Sequence, residues 1–278
     1  MSGGFVGAGV AYRRRYHEGL LAMAGQPQAP RVLEVMAGHM LGQDEALEAL
    51  AAAYPLVLHE VCLSPGTCAP DGAASRGFLR ELAAQCARAK PLMFSEHLSL
   101  SDSPEGISLG HLAPLWYTRE ALGVLEARVK RWQDALQVPV ALETISAPFV
   151  IPCADYHDEA EFLGELVHRT GCGVLLDLTN LWFNGQNLGF DPVERLRAYP
   201  LEAVWAVHLA GGAREQDGWW VDTHAAPVSE ASYGLLRALR GLATPNLRAV
   251  IIERDGAWPP LEALCGEAAR AQQEWDEG

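Results

Sequence analysis

The chain has 278 residues, of which 49% are hydrophobic and 20% charged, a mix typical of a core-forming globular protein and not of a disordered chain or a small disulfide scaffold. Its 21 basic and 35 acidic side chains leave a net charge of −14 at pH 7, which disfavours a broad basic face that binds nucleic acid. No apolar stretch reaches the roughly 18–20 residues of a membrane span, and the first residues lack the pattern of a signal peptide. The six cysteines include no Cys-x-x-Cys pair, which favours free thiols in a reducing compartment. We therefore expect a cytoplasmic protein whose partners include neither a membrane nor a nucleic acid.

Eight short apolar segments rich in Val, Ile or Leu recur along the chain. They lack strict alternation of polar and apolar residues, which is typical of parallel strands buried on both faces. In chain order these predicted strands are Phe5–Ala11, Arg31–Met36, Leu56–Val61, Leu92–His97, Val138–Glu143, Gly173–Asp177, Val204–Leu209 and Ala249–Glu253. Amphipathic segments between them predict helices at Asp44–Ala53, Gly77–Ala89, Thr118–Leu136, Asp158–Thr170, Ser229–Leu242 and Pro260–Glu274.

Eight strand–helix units of about 35 residues fit the chain length, and no low-complexity linker divides them. We therefore expect an α/β fold in which residues 1–278 form a single (β/α)8 TIM barrel. The alternative is an open doubly wound sheet, which is expected to carry a glycine-rich phosphate loop after its first strand. The glycines of GGFVGAG precede and occupy the first predicted strand instead, which disfavours that alternative.

Seven consecutive predicted strands place a carboxylate or an imidazole close to their carboxyl ends. These residues are Glu34, His59, Glu96 with His97, Glu143, Asp177, His208 and Glu253. In a parallel barrel the carboxyl ends converge on one face, where the active sites of such barrels lie. Burying several carboxylates together is costly unless cations compensate them. Mixed imidazole and carboxylate ligands suit iron, manganese, zinc or cobalt, so we expect a metal site.

Three further side chains extend this set beyond what one ion requires. Asp222 and His224 stand two residues apart, so an extended backbone would direct both to the same side. Asn180 follows Asp177 by three residues, in the predicted loop after the sixth strand. Because one ion takes about three to six ligands, the whole set favours two or three ions. Glu143, central in the strand order, is the candidate bridging ligand.

The strand-end motifs together resemble those of the multinuclear non-haem iron-dependent oxidative enzymes. The resemblance runs from about Gly7 to about Ala271, and its motifs are SEHLSLS, LETIS, GCGVLLDLTN, VHLAG, VDTHAAPV and IIERD. It implies a (β/α)8 barrel holding two or three irons, with dioxygen as co-substrate; because imidazole and carboxylate ligands permit redox chemistry at iron, we predict a mixed-valent Fe(II)/Fe(III) pair as the working state. It also implies modification of cysteine or another residue of a ribosomally made precursor peptide, together with a small partner protein that binds the leader of that peptide.

Carried over position by position, the resemblance implies three sets of iron ligands. These are His59, His97 and Glu143 for one iron, bridging Glu143 with Asp177, His208 and Glu253 for a second, and Asn180, Asp222 and His224 for a third, more variable one. We expect catalytic roles for His97, Glu143 and Asp177.

The chain departs from the family pattern beside these ligands. It has Gly38-His39 where an acidic residue followed by Asn is typical, and Glu60 where Gly usually follows the histidine of the third strand. Thr144 replaces a common Asn, and Gly212 replaces a common His. These differences indicate a divergent subgroup, so the substrate of the family is not transferred to this chain.

Two other functions remain open at this point. One is a non-redox barrel with two or three zinc ions, similar to a sugar isomerase or a phosphoesterase, and the other is a catalytically inactive module that binds metal or peptide. A peptide substrate predicts a groove over the metals, for which the candidate lining residues are Trp116, Tyr117, Trp182, Trp219 and Trp220.

Overall fold

Eight parallel strands form a closed barrel in the computed structural model, which describes residues 4–68, 73–147, 149–152 and 155–277. Numbered along the chain, the strands are β1 Gly7–Ala11, β2 Leu33–Met36, β3 Leu56–Glu60, β4 Met93–His97, β5 Leu100–Asp102, β6 Ser108–Ala113, β7 Val140–Glu143, β8 Gly173–Asp177, β9 Val204–Leu209, β10 Ala213–Arg214, β11 Trp220–Val221 and β12 Ala249–Ile252. The barrel order is β1-β12-β9-β8-β7-β4-β3-β2, while β5 with β6 and β10 with β11 form small antiparallel sheets outside it. The predicted (β/α)8 barrel is confirmed, and each predicted strand is present to within two residues at either end.

Helices connect the strands and cover the outside of the barrel. They are α1 His17–Met23, α2 Asp44–Ala53, α3 Ala73–Ala89, α4 Arg119–Leu136, α5 Glu159–Thr170, α6 Leu178–Leu188, α7 Pro192–Leu196, α8 Glu230–Arg240 and α9 Leu261–Asp276. Thr118 Oγ1 accepts a hydrogen bond from the amide of Ala121 at 3.2 Å and caps α4. Asp158 Oδ1 caps α5 in the same way, accepting from the amide of Glu161 at 3.0 Å. These local signals explain why the predicted helices begin where they do.

The barrel interior changes from apolar to polar along its axis. Val57, Met93, Ala141, Leu175 and Ile251 belong to a buried cluster distinct from the larger core that includes the helices. Residues two apart on a strand share a face, so the next inward residues toward the carboxyl ends are Glu34, His59, Ser95, Glu143, Asp177, His208 and Glu253. An apolar layer therefore supports a layer of charged and polar side chains at the carboxyl end of the barrel.

The cysteines and the helices bear on the absence of a disulfide framework and of membrane spans that the sequence predicts. The five cysteines within the described residues are all free thiols, and Cys153 lies outside the described residues. Within the described part of the chain, no helix combines the length and the apolar character needed to cross a membrane.

Candidate metal centre

The first group of candidate ligands joins three neighbouring barrel strands. His59 Nε2 and His97 Nε2 each lie 3.2 Å from Glu143 Oε2, and the two imidazole ring centroids are 4.8 Å apart. Glu143 Oε2 is buried and makes no hydrogen bond within the described structure. A buried carboxylate oxygen that has no hydrogen-bond partner and faces two imidazole nitrogens offers, with them, three donor atoms to a cation.

Glu143 also belongs to a second group, in which Asp177, His208 and Glu253 are its fellow members and all four residues are buried. His208 Nδ1 lies 3.0 Å from Glu143 Oε1 and 3.0 Å from Glu253 Oε2. One carboxylate oxygen of Glu143 thus faces the first group and the other faces the second. This arrangement allows Glu143 to bridge two cations.

The third group consists of Asp177, Asp222 and His224, with the amide of Asn180 beside it. His224 Nε2 lies 2.8 Å from Asp222 Oδ1, yet neither atom has a hydrogen-bond partner, and Asn180 Oδ1 has none either within the described residues. Asn180 directs its Nδ2 to Asp177 Oδ2 at 3.1 Å, which leaves its oxygen as a free donor atom for a metal.

The backbone that brings these residues together differs from the sequence-based expectation at two points. Asn180 lies in the first turn of α6 and not in a loop, and its amide donates to Asp177 Oδ1, which caps that helix at 2.8 Å. His224 has a φ of 49°, so the segment from Asp222 is bent and not extended. The expected convergence of Asp222 and His224 therefore results from a turn that the spacing of two residues did not predict.

The electrostatics of the centre favour positive charge. Burial alone raises the pKa of Glu143, but the His97 and His208 imidazoles outweigh it and lower that pKa to about 2. Burial, and then the Asp222 and Glu143 carboxylates, raise the pKa of Asp177 well above its ordinary value. Glu143 is thus stabilised in its ionised form by neighbouring positive charge, and the ionised form of Asp177 would gain the same stabilisation from a bound cation.

Each candidate imidazole ligand has its second ring nitrogen facing an oxygen atom. The pairs are His59 Nδ1 with Ser95 Oγ at 2.8 Å, His97 Nδ1 with Glu96 Oε1 at 3.5 Å, His208 Nε2 with Glu34 Oε2 at 2.7 Å, and His224 Nδ1 with Asp255 Oδ2 at 3.4 Å. The contacts of His59 and His208 are hydrogen bonds, which orient an imidazole and determine which nitrogen is available to a metal, whereas His97 Nδ1 makes no hydrogen bond within the described residues. Ser95 and Asp255 were not among the predicted site residues, although Ser95 stands two residues before His97 and therefore shares its strand face.

Two departures from the family pattern compensate each other in the structure. The buried Glu60 carboxylate accepts hydrogen bonds from the amides of Gly38 at 2.6 Å and Val61 at 2.9 Å. A Cβ atom at position 38 would lie 2.6 Å from Glu60 Oε2, so any other residue there would displace this carboxylate. His39, by contrast, is exposed and lines a separate cavity of about 310 Å³.

The other two departures also have local explanations. Thr144 Oγ1 accepts a hydrogen bond from the amide of Asp177 at 3.0 Å and so fixes the end of β8. A Cβ atom at Gly212 would lie 2.4 Å from the ring of Phe183, so glycine is needed for that close approach.

A cavity of about 590 Å³ opens above the candidate ligands. His97, Glu143, Asn180, Asp222 and His224 contribute to its lining, and its other lining residues are His111, Leu112, Ala113, Pro114, Ser146, Phe149, Asn187, Trp219, Trp220 and Val221. Of the aromatic residues expected to form a groove, Trp219 and Trp220 line this cavity, Tyr117 lines an adjacent one of about 300 Å³, Trp182 packs against Trp220, and Trp116 is exposed. A polar floor and largely apolar walls suit a substrate that brings an apolar segment close to the metals.

Comparison with protein families and sequences identifies clear relatives. A family model described as "RiPP precursor modification enzyme MbnB/TglH/ChrH" matches residues 7–275. A UPF0276 protein of Caulobacter vibrioides is 34% identical over 277 residues, which cover 99% of this chain and 96% of the relative. A UPF0276 protein of Chromobacterium violaceum is 40% identical over 227 residues, covering 81% of this chain and 79% of the relative.

Solved structures share the fold at low sequence identity. D-psicose 3-epimerase from Clostridium cellulolyticum superposes with a TM-score of 0.63 at 13% identity, covering 98% of both chains. Endonuclease IV from Thermus thermophilus superposes with a TM-score of 0.60 at 17% identity, covering 97% of this chain and 98% of that one. At these identities the similarity establishes the barrel fold alone.

Proposed function

The chain belongs to the MbnB/TglH/ChrH family of RiPP precursor modification enzymes, and on that premise we propose that it uses iron and dioxygen to oxidise a precursor peptide. RiPPs are ribosomally synthesised and post-translationally modified peptides. The proposed target is a cysteine, or another residue, of such a peptide during natural-product biosynthesis.

The observation that carries this proposal is the sharing of Glu143 between two groups of candidate ligands. Its oxygens lie 3.2 Å from His59 and His97 nitrogens and 3.0 Å from His208 Nδ1, so two cations would be held side by side. Imidazole and carboxylate donors in this mixture suit redox-active iron. Iron bound there would supply dioxygen activation and electron transfer, which amino-acid side chains cannot provide.

We propose metal-binding roles for nine side chains: His59, His97 and Glu143 at one ion, Glu143, Asp177, His208 and Glu253 at a second, and Asn180, Asp222 and His224 at a third. Within this set we propose catalytic roles for His97, Glu143 and Asp177. Glu143 and Asp177 each belong to two groups, while His97 and Glu143 face the cavity. A change at His97 or Glu143 would therefore affect both the metals and the bound substrate, whereas a change at Asp177 would affect two of the ligand groups.

The walls of the cavity bind the substrate and exclude water in this proposal. Leu112, Pro114, Phe149 and Trp219 surround a floor of charged ligands. Phe149 and Trp219 keep 53% and 38% of their surface exposed, so both can still contact a peptide segment. We further propose that the protein is cytoplasmic and acts with a small partner protein that presents the leader of the precursor.

Zinc is the main competing metal because it accepts the same donor types. A barrel that binds two or three zinc ions would carry out isomerisation or hydrolysis and not oxidation. The metal content and the consumption of dioxygen therefore distinguish the two functions directly.

The test is to incubate the iron-loaded protein aerobically with short cysteine-containing peptides encoded beside its gene. We expect oxygen uptake and a change in peptide mass, both of which are lost in the His97→Ala variant. Zinc as the resident metal, with no oxygen uptake for any such peptide, would contradict the proposal.

A further inference from the structure

Glu34 contacts the metal centre without belonging to any of the three groups of candidate ligands. It lies on β2, two residues after the inward-facing Val32, and is buried in the polar layer of the barrel. Its Oε2 lies 2.7 Å from His208 Nε2, the closest of the four contacts that support the candidate imidazole ligands. The side of the His208 ring opposite the candidate ligands is therefore occupied by a full carboxylate.

This contact determines which nitrogen of His208 can bind a metal. Nδ1 faces Glu143 Oε1 and Glu253 Oε2, both at 3.0 Å, and so points into the second group. A metal bound at Nδ1 requires the ring proton to sit on Nε2. Glu34 accepts that proton in a charge-assisted hydrogen bond, whereas an unprotonated Nε2 would be repelled by the carboxylate.

The other imidazoles have weaker supports. Ser95 offers His59 a neutral hydroxyl at 2.8 Å, and the Glu96 carboxylate lies 3.5 Å from His97. The carboxylate of Asp255 is 3.4 Å from His224 and is shared with Arg13, whose guanidinium lies 2.6 Å from it. A carboxylate at hydrogen-bond distance thus distinguishes His208 among the four.

The second ligand group also contains more negative charge than the first. The second group contains three carboxylates, from Glu143, Asp177 and Glu253, whereas the first group contains Glu143 alone with two imidazoles. A carboxylate behind His208 adds to this difference, because it increases the basicity of the imidazole that donates to the metal. The second group is therefore the most electron-rich position in the centre.

We propose that Glu34 is a positioning residue that fixes the Nε2-protonated form of His208 and makes the group of Glu143, Asp177, His208 and Glu253 the tightest cation site. If the resident metal is iron, as the proposed function requires, this site holds the more highly charged ion. The site has the highest affinity of the three for any divalent or trivalent cation, whether or not the metal is iron.

The first test compares metal retention in the protein purified with its own metals under anaerobic conditions. Samples are challenged with increasing EDTA, and the metal remaining per chain is measured by elemental analysis. We expect one ion per chain to resist chelation in the wild-type protein, and the Glu34→Gln variant to release that ion at a 10- to 100-fold lower EDTA concentration.

Two matched variants make this result specific. Glu60→Gln changes a buried glutamate on the adjacent strand that is held by backbone amides, and it should retain the ion like the wild type. Ser95→Ala removes the support of His59 and should leave the most tightly held ion unchanged. Retention in Glu34→Gln within twofold of the wild type would overturn the proposal, even if the protein contains iron and oxidises a peptide.

A second measurement needs no variant that could fail to fold. In zinc-loaded wild-type protein, long-range ¹H–¹⁵N NMR spectra should show the proton of His208 on Nε2 and the metal on Nδ1. Metal on Nε2 would overturn the proposal. A protein that contains zinc and consumes no oxygen, but loses its tightest ion in Glu34→Gln, would contradict the proposed function and support the role of Glu34.

Discussion

Replacing Glu143 with glutamine tests the shared ligand at the centre of the proposed function. Glutamine has nearly the same shape but only one oxygen, and its other terminal atom is an amino group that donates hydrogen bonds. In the structure one oxygen of Glu143 faces His59 and His97 at 3.2 Å, and the other faces His208 at 3.0 Å. Whichever way the amide is turned, one of the two groups loses its donor atom.

The expected loss of metal affinity in Glu143→Gln follows from the removal of a proposed direct ligand. Changes to residues that only support metal ligands typically cost 10- to 100-fold in metal affinity, so removing a bridging carboxylate should cost at least about 100-fold at one site. For a metal well above its dissociation constant, this corresponds to a loss of about 2.7 kcal/mol in the stability of the metal-loaded protein.

The assay is the metal content per chain after anaerobic purification, together with the thermal unfolding midpoint of the same sample. We expect Glu143→Gln to lose at least one ion and to unfold at a lower temperature, while Glu60→Gln, a buried variant outside the groups, retains its full metal content. An unchanged metal content in Glu143→Gln would refute the assignment of a bridging role.

Three further predictions concern the cavity of about 300 Å³, the contact between Gly38 and Glu60, and the third group of candidate ligands. Burial raises the pKa of Glu159 from its ordinary value of 4.5 to about 7 in the folded protein. Between these two values the folded state binds a proton that the unfolded state has lost, so the free energy of unfolding should decrease as the pH rises from about 4 to about 8. Glu159→Gln, which can still accept a hydrogen bond from Tyr199, should remove up to about 3 kcal/mol of that pH dependence, as measured by urea unfolding. The same change in unfolding free energy with pH in both proteins would contradict this reasoning. Gly38→Ala should destabilise the protein by about 2 kcal/mol, because the new methyl group displaces the hydrogen-bonded Glu60 carboxylate. Urea unfolding of the wild type, the two single variants and the double variant should show that this loss largely disappears when Glu60 is alanine. His224→Ala should reduce the metal content by one ion and leave the ions of the other two groups in place, and a loss of all metal on elemental analysis would argue against an independent third site.

The fold could be predicted from the sequence because its signals are local. Short buried segments without alternation indicate parallel strands, and capping residues such as Thr118 and Asp158 indicate where helices begin. The barrel then brings the strand ends together by topology alone. For this reason the convergence of His59, Glu143 and His208 could be expected before any coordinates were known.

The details of the site depended on tertiary structure. Asn180 was expected in a loop, but Asp177 caps a helix that begins at the very end of β8. His224 was expected in an extended segment, but the chain turns there with a positive φ. Asn180 and His224 nevertheless lie beside Asp177 and Asp222, so the predicted residues come together through a backbone path that the sequence did not predict.

The contacts that support the imidazole rings could not be predicted from the positions of residues at strand ends. A strand pattern indicates which face a residue occupies, but not which ring nitrogen meets which oxygen across the barrel. Glu34 and His208 are separated by 174 positions and meet only because β2 and β9 face the same interior. Likewise, the compensation between Gly38 and Glu60 is visible only once the distance between them is known.

The most direct test of the central claim is the metal content of the protein purified without oxygen, measured by elemental analysis together with Mössbauer spectroscopy. We predict two or three irons per chain, including an antiferromagnetically coupled pair, as expected for ions that share Glu143 between neighbouring groups. One or more zinc ions per chain with little iron, even after growth in iron-rich medium, would contradict the oxidative function and favour hydrolysis or isomerisation.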